Sequence, residues 1–183
     1  MRQRAYSPSV GDPKPRAFET IVYGCLAVGI LDFLDASMFF PAYFGITFER
    51  VWQGVAAGVL GREAAIAGGR TAAAIGIFLH FVVAFGVAAV YFAVSRVLPF
   101  LVRHPVVSGL AYGILVHFVM QFVVIPLSAI GWSQTPFDLG SFANSVIGHA
   151  LLVGLPVALI ASWSAGRGTS EYVGEILGMR RKV

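Results

Sequence analysis

The chain has 183 residues, 57% of them hydrophobic and only 12% charged, with a mean hydropathy of +0.79. That balance excludes an ordinary soluble domain and a disordered chain. The 13 Lys and Arg outnumber the 9 Asp and Glu, but they flank apolar runs and form no basic stripe, RNP-like motif or zinc spacing, which excludes a nucleic-acid module.

Residues 1–17 carry Ser7-Pro8, Asp12-Pro13 and Pro15 and read as a flexible arm. The first apolar run, about 18–40, closes at Pro41 and is long enough to cross a bilayer, which takes roughly 20 residues. Its length, the seventeen residues before it and the lack of a small-x-small site after it argue against a signal peptide. Cys25, the single cysteine, lies inside this run, so there is no disulfide framework and no CxxC metal site.

Residues 48–70 hold an apolar core of about ten residues between Arg50 and Arg62, too short to span. This segment reads as an outer interfacial or re-entrant helix, with Gly54 and Gly58 available for close packing and Gly61 as its stop. Three further runs can span: about 72–95, about 106–130 with Pro126 near its end, and about 142–164 containing Pro156. The expected fold is all-α, a four-transmembrane-helix bundle forming one domain over 18–165. A basic tail follows at 166–183, with a short amphipathic helix around 171–181.

Orientation follows from the Lys and Arg flanking the runs. Arg2, Arg4, Lys14 and Arg16, then Arg96 and Arg103, then Arg167, Arg180, Arg181 and Lys182 fall on one side. The other side has only Arg50, Arg62 and Arg70. Both termini are therefore expected in the cytoplasm, in a bacterial inner membrane, with the lipid bilayer as partner and room for a homo-oligomer or a larger membrane complex.

With that topology Asp32, His80, Gln121 and His149 fall at one depth, roughly 10–12 Å inside the outer boundary at 1.5 Å per residue. Asp35 and His117 lie a turn to either side. Polar groups are costly at such depth, so several at one level indicate a polar site. Gly109, Gly113, His117 and Gln121 recur at i+4, as do Ala72, Gly76, His80, Ala84 and Ala88, while Gly29 shares a face with Asp32. Small-residue stripes mark helix packing, so these polar groups are expected to face the interior. Asp35, nearer the surface, is expected to be wetted or to pair with Arg62 or Arg70.

Histidine and carboxylate together can exchange protons near neutrality, or hold a divalent metal, with His80, His149 and Asp32 the metal candidates. Axial haem ligation by two histidines is disfavoured, and no cofactor is firmly implied. The plainer reading is an Asp–His–Gln hydrogen-bond network that fixes helix register in an accessory or scaffold subunit. No GxSxG, HExxH, P-loop or Rossmann pattern is present, and Asp32 and Asp35 sit on one helix, unlike an intramembrane aspartyl dyad, so no enzyme is expected.

The second half of the chain carries VYFAVSRVLP (90–99), SGLAYG (108–113), IPLSAIG (125–131), PFDLGSF (136–142) and VIGH (146–149) in order. Over about residues 72–155 it resembles the YagU-like group of bacterial inner-membrane proteins. The resemblance implies a small multi-pass membrane protein with His80 and His149 at family histidines. It departs in span three, where the family has Gln then His and this chain has His117 then Gln121. No biochemical activity comes with the family.

Topology is directly testable. In a Cys25→Ala background, cysteines introduced at Ser7, Ser133 and Thr169 are expected to split: only the one at Ser133 reacts with an impermeant thiol reagent added to spheroplasts. Labelling at Ser7 would reverse the orientation and with it the depth alignment.

Overall fold

The computed structural model describes residues 17–132 and 137–176, with side chains described as far as Gly166. The arm, the tail's basic end and the centre of the 131–141 loop lie outside the described residues. Among the described residues every regular element is helical.

Four helices are long and apolar enough to cross a membrane: α1 (Ala17–Phe44), α4 (Gly69–Val97), α6 (Pro105–Leu127) and the span of α7 (Leu139–Gly166), which stays helical to Ile176. Three short helices join them: α2 (Phe48–Leu60), α3 (Arg62–Ala67) and α5 (Phe100–Arg103). The first span does not stop at Pro41 but continues to Phe44. A proline in the last turn removes only one helix hydrogen bond. Termination falls to Gly45, at φ 65°, whose N–H donates to the Pro41 carbonyl at 3.0 Å.

Helix α7 is the hub. It packs on α6 along much of its length and also touches α1 and α4, while α1 and α4 pack on each other. Accordingly 39% of its apolar window is buried, against 17–22% in the other three. The core is built from small and β-branched residues, including Val28, Ala84, Ala88, Val153, Val157 and Ala158, with Tyr91 and Trp52 the large, fully buried exceptions. Large apolar side chains point outward instead: Phe78, Val82, Phe85 and Leu115 are exposed. So much contiguous apolar surface would be a liability in water and is ordinary against lipid.

Backbones approach closely where the sequence places glycine. A Cβ on Gly109 would stand 2.8 Å from the Gly154 carbonyl oxygen, and one on Gly113 would stand 2.6 Å from Ala150 Cα. Gly76 lies directly against the Trp52 carbonyl of α2, and Gly29 against the Phe81 ring. All four glycines of the expected packing stripes sit at helix–helix contacts.

Two features differ from expectation. Gly61 at φ 79° stops α2 as expected, and a further short helix, α3, follows it within the 48–70 segment. Gly54 and Gly58 do not make the close contact of this segment: Gly54 faces open space and Gly58 only reaches Ser128. Packing falls to Trp52, Gln53, Ala56 and Ala57 on the other side of α2. The N-cap Thr47 starts α2 by accepting from the Arg50 N–H at 3.2 Å. From there α2 runs past α1 and α4 to the turn after α6, where the Ala129 N–H donates to the Gly58 carbonyl at 2.9 Å.

The second difference is that α6 and α7 each contain a π-helical turn, at Met120–Val124 and His149–Gly154. Each precedes a proline. Pro126 and Pro156 have no N–H for the carbonyls of Phe122 and Leu152 and crowd them, and widening the preceding turn relieves both.

The glycine contacts set a stability contrast. Gly113→Leu must push α6 off α7 and is expected to cost about 3 kcal/mol or more, or to prevent folding. Leu115→Ala, on the exposed face, is expected to cost under about 1 kcal/mol. Thermal unfolding in mild detergent measures both, and a silent Gly113→Leu would contradict the α6–α7 contact.

Candidate functional site

On α1, Asp32 and Asp35 project from the face that meets α4 and α7. The Nδ1 of His80 lies 3.8 Å from Asp32 Oδ2, with both side chains largely buried. His80 Nε2 lies 2.9 Å from the Gly29 carbonyl oxygen. A carbonyl can only accept, so Nε2 carries a proton and donates it. The nitrogen turned toward Asp32 is therefore the one whose protonation can change.

Aromatic rings wall His80 off. Trp52 of α2 meets it edge-on at 5.2 Å, Phe81 at 5.4 Å, and Phe33 stacks on Trp52 at 4.6 Å and 16°. Trp52 is fully buried and its Nε1 has no hydrogen-bond partner. The sequence does not mark Phe33 or Trp52 as site residues, because an aromatic side chain on an apolar segment looks like any other core or lipid-facing group. Only the crossing of α2 over Gly76 brings Trp52 to the histidine.

His149 Nδ1 donates to the Ser145 carbonyl, one turn back, at 2.8 Å, leaving Nε2 as its exchangeable nitrogen. The His149 ring lies 5.4 Å from that of His117 across the α6–α7 contact. His117 is 5% exposed, is flanked by Phe118 and Phe142, and has a buried Nε2 with no partner.

Two placements correct the sequence reading. Asp35 pairs with neither Arg62 nor Arg70: it accepts from Asn144 Nδ2 of α7 at 3.0 Å, while Arg70 is turned to Glu49 at 4.0 Å. Asn144 has a legible signal, since it stands four residues before Gly148 on the face that meets Asp35. Gln121 is exposed, at the start of the π-helical turn, and does not join the others. An i+4 stripe drifts by about 40° at each step of a 3.6-residue helix, so three steps from Gly109 carry Gln121 about 120° away.

The metal reading gains nothing from this geometry. Among the described residues no three His, Cys, Asp or Glu side chains are gathered as a ligand set. His80 has one nitrogen committed to a carbonyl and the other facing a carboxylate. What the arrangement sets side by side is a carboxyl, that of Asp32, and one imidazole nitrogen, His80 Nδ1.

The two contacts of His80 separate by substitution. His80→Gln keeps a donor for the Gly29 carbonyl and is expected to fold. His80→Leu removes the second donor of that helical carbonyl and leaves the Asp32 carboxyl facing an apolar wall, and is expected to cost about 1–3 kcal/mol more than Gln, read by thermal unfolding in detergent. Equal stability of the two variants would mean that neither contact holds the helices.

Comparison with protein-family models, with curated proteins and with solved structures finds no match to this chain.

Proposed function

We propose that the chain is a multi-pass protein of the bacterial inner membrane, with both termini cytoplasmic and α2 at the outer interface. Its Asp32–His80 pair accepts and releases a proton within the bundle. The YagU-like resemblance of residues 72–155 agrees with that placement and forms part of the same proposal.

One observation carries the reading: His80 Nε2 is committed to the Gly29 carbonyl while Nδ1 faces Asp32. In an apolar surround the pair is least costly when its net charge is zero. That requires one exchangeable proton, either on Asp32 or on Nδ1. In this reading Asp35, a turn along α1, and the His117–His149 contact across α6 and α7 supply the next donors and acceptors, with the Nε2 atoms of the two histidines the open positions. Intramembrane chains of carboxylate and imidazole are a recurring solution for moving protons.

A second reading has its own support. His80 to Gly29 ties α4 to α1, and Asn144 to Asp35 ties α7 to α1. Such contacts fix helix register whether or not a proton moves, as in a scaffold or accessory subunit.

Purified protein in liposomes loaded with a pH-sensitive dye separates the two. Proton handling predicts an acidification rate above that of empty liposomes which falls at least tenfold in Asp32→Asn, while the variant keeps its detergent stability to within about 1 kcal/mol. A rate equal to that of empty liposomes, or one indifferent to Asp32→Asn, leaves the scaffold reading.

A further inference from the structure

Cations are scarce on the side expected to face outward, yet two of the three there border one cavity. Arg50 and Arg62 line a half-open space of about 220 Å³ between α2, α3 and the turn after α6. Its apolar wall is Ala57, Ala65, Ile66 and Ile130. The third cation, Arg70, is turned to Glu49 instead.

The neighbouring carboxylates, Glu49 and Glu63, form no ion pair with either arginine among the described residues. Glu49 is engaged by Arg70 and by Gln53 Nε2, the latter at 3.1 Å. Gln53 is buried and held also by the Gly69 carbonyl at 3.2 Å, so its Oε1 is a fixed acceptor. It receives Arg50 Nη1 at 3.4 Å, which sets the guanidinium at the rim.

We propose that this cavity binds a phosphate-bearing anion between the two guanidiniums, and that its source is the headgroup of a phospholipid. Paired guanidiniums match phosphate oxygens in charge and in bidentate geometry. The volume is below that of pockets for drug-sized ligands, which start at about 300 Å³, and so fits a headgroup rather than a larger organic anion. The rest of the wall is apolar, formed by Ala57, Ala65, Ile66 and Ile130, with Ile66 exposed. An acyl chain leaving the cavity would lie on those side chains. This site is separate from the Asp32–His80 pair and does not depend on proton exchange there.

The test is thermal unfolding of the full chain in mild detergent with added dihexanoyl phosphatidylglycerol, dihexanoylglycerol or inorganic phosphate. The phospholipid is expected to raise the melting temperature saturably. Arg50→Gln and Arg62→Gln should each weaken half-saturation by about tenfold or more, and Arg70→Gln should not. Dihexanoylglycerol, which lacks the phosphate, should give no saturable rise. If inorganic phosphate alone reproduces both the rise and its arginine dependence, the anion site stands and the lipid source is overturned. A rise that dihexanoylglycerol matches, or that persists in the Arg50→Gln/Arg62→Gln double variant, overturns the site. Both arginines are exposed, so the variants are expected to fold, which their melting temperatures without ligand establish directly.

Discussion

Lipid offers no hydrogen-bond partner, and most of this molecule follows from that one constraint. Helices satisfy the backbone within each span, which is why the described chain is helical almost throughout. Several interior side chains find their partners on another span. Asp35 finds Asn144, His80 finds the Gly29 carbonyl and faces Asp32, and Thr20 meets Ser164. Each contact joins α1 to a different part of the chain, so the polar groups that lipid cannot solvate also hold the spans in register.

Close approach of backbones makes these contacts possible. Side chains as short as Asp and Asn meet across a helix pair only when the helices nearly touch, and glycine supplies that approach. Gly113 and Gly109 let α6 seat against the π-helical turn of α7, which brings His117 to His149. Gly76 lets α2 cross α4 on its backbone, which delivers Trp52 to His80. The two prolines add a second device. Pro126 and Pro156 lie just beyond wide π-helical segments, and His149 stands at the first position of one of them. Turns of this kind recur at functional positions in helices because they re-aim side chains without breaking the helix.

Much of this architecture is legible in the amino-acid sequence. Length and hydropathy reveal four spans because nothing but a bilayer calls for four such runs in 183 residues. Gly29, Gly76, Gly109 and Gly113 are readable as contacts because small residues on one helix face serve little purpose against lipid. Gln121 misleads because i+4 spacing, carried over three steps, turns off the face it began on. Arginine looks like the obvious counter-charge for Asp35, whereas an amide on a neighbouring span is the group that reaches it. Trp52 and the π-helical turns leave no sequence signal. The first depends on where α2 crosses α4, and the second on how each proline's missing hydrogen bond is accommodated.

His80 holds its Nε2 against the Gly29 carbonyl, and in the proposed function its other nitrogen shares a proton with Asp32. Nitrogen-15 spectra of histidine-labelled protein in lipid nanodiscs between about pH 5 and 8, where imidazole changes charge, measure both nitrogens directly. A protonated His80 Nε2 throughout this range is expected, together with an Nδ1 signal that shifts when Asp32 is replaced by Asn. A His80 protonated on Nδ1 alone, or an Nδ1 signal indifferent to Asp32→Asn, would contradict it.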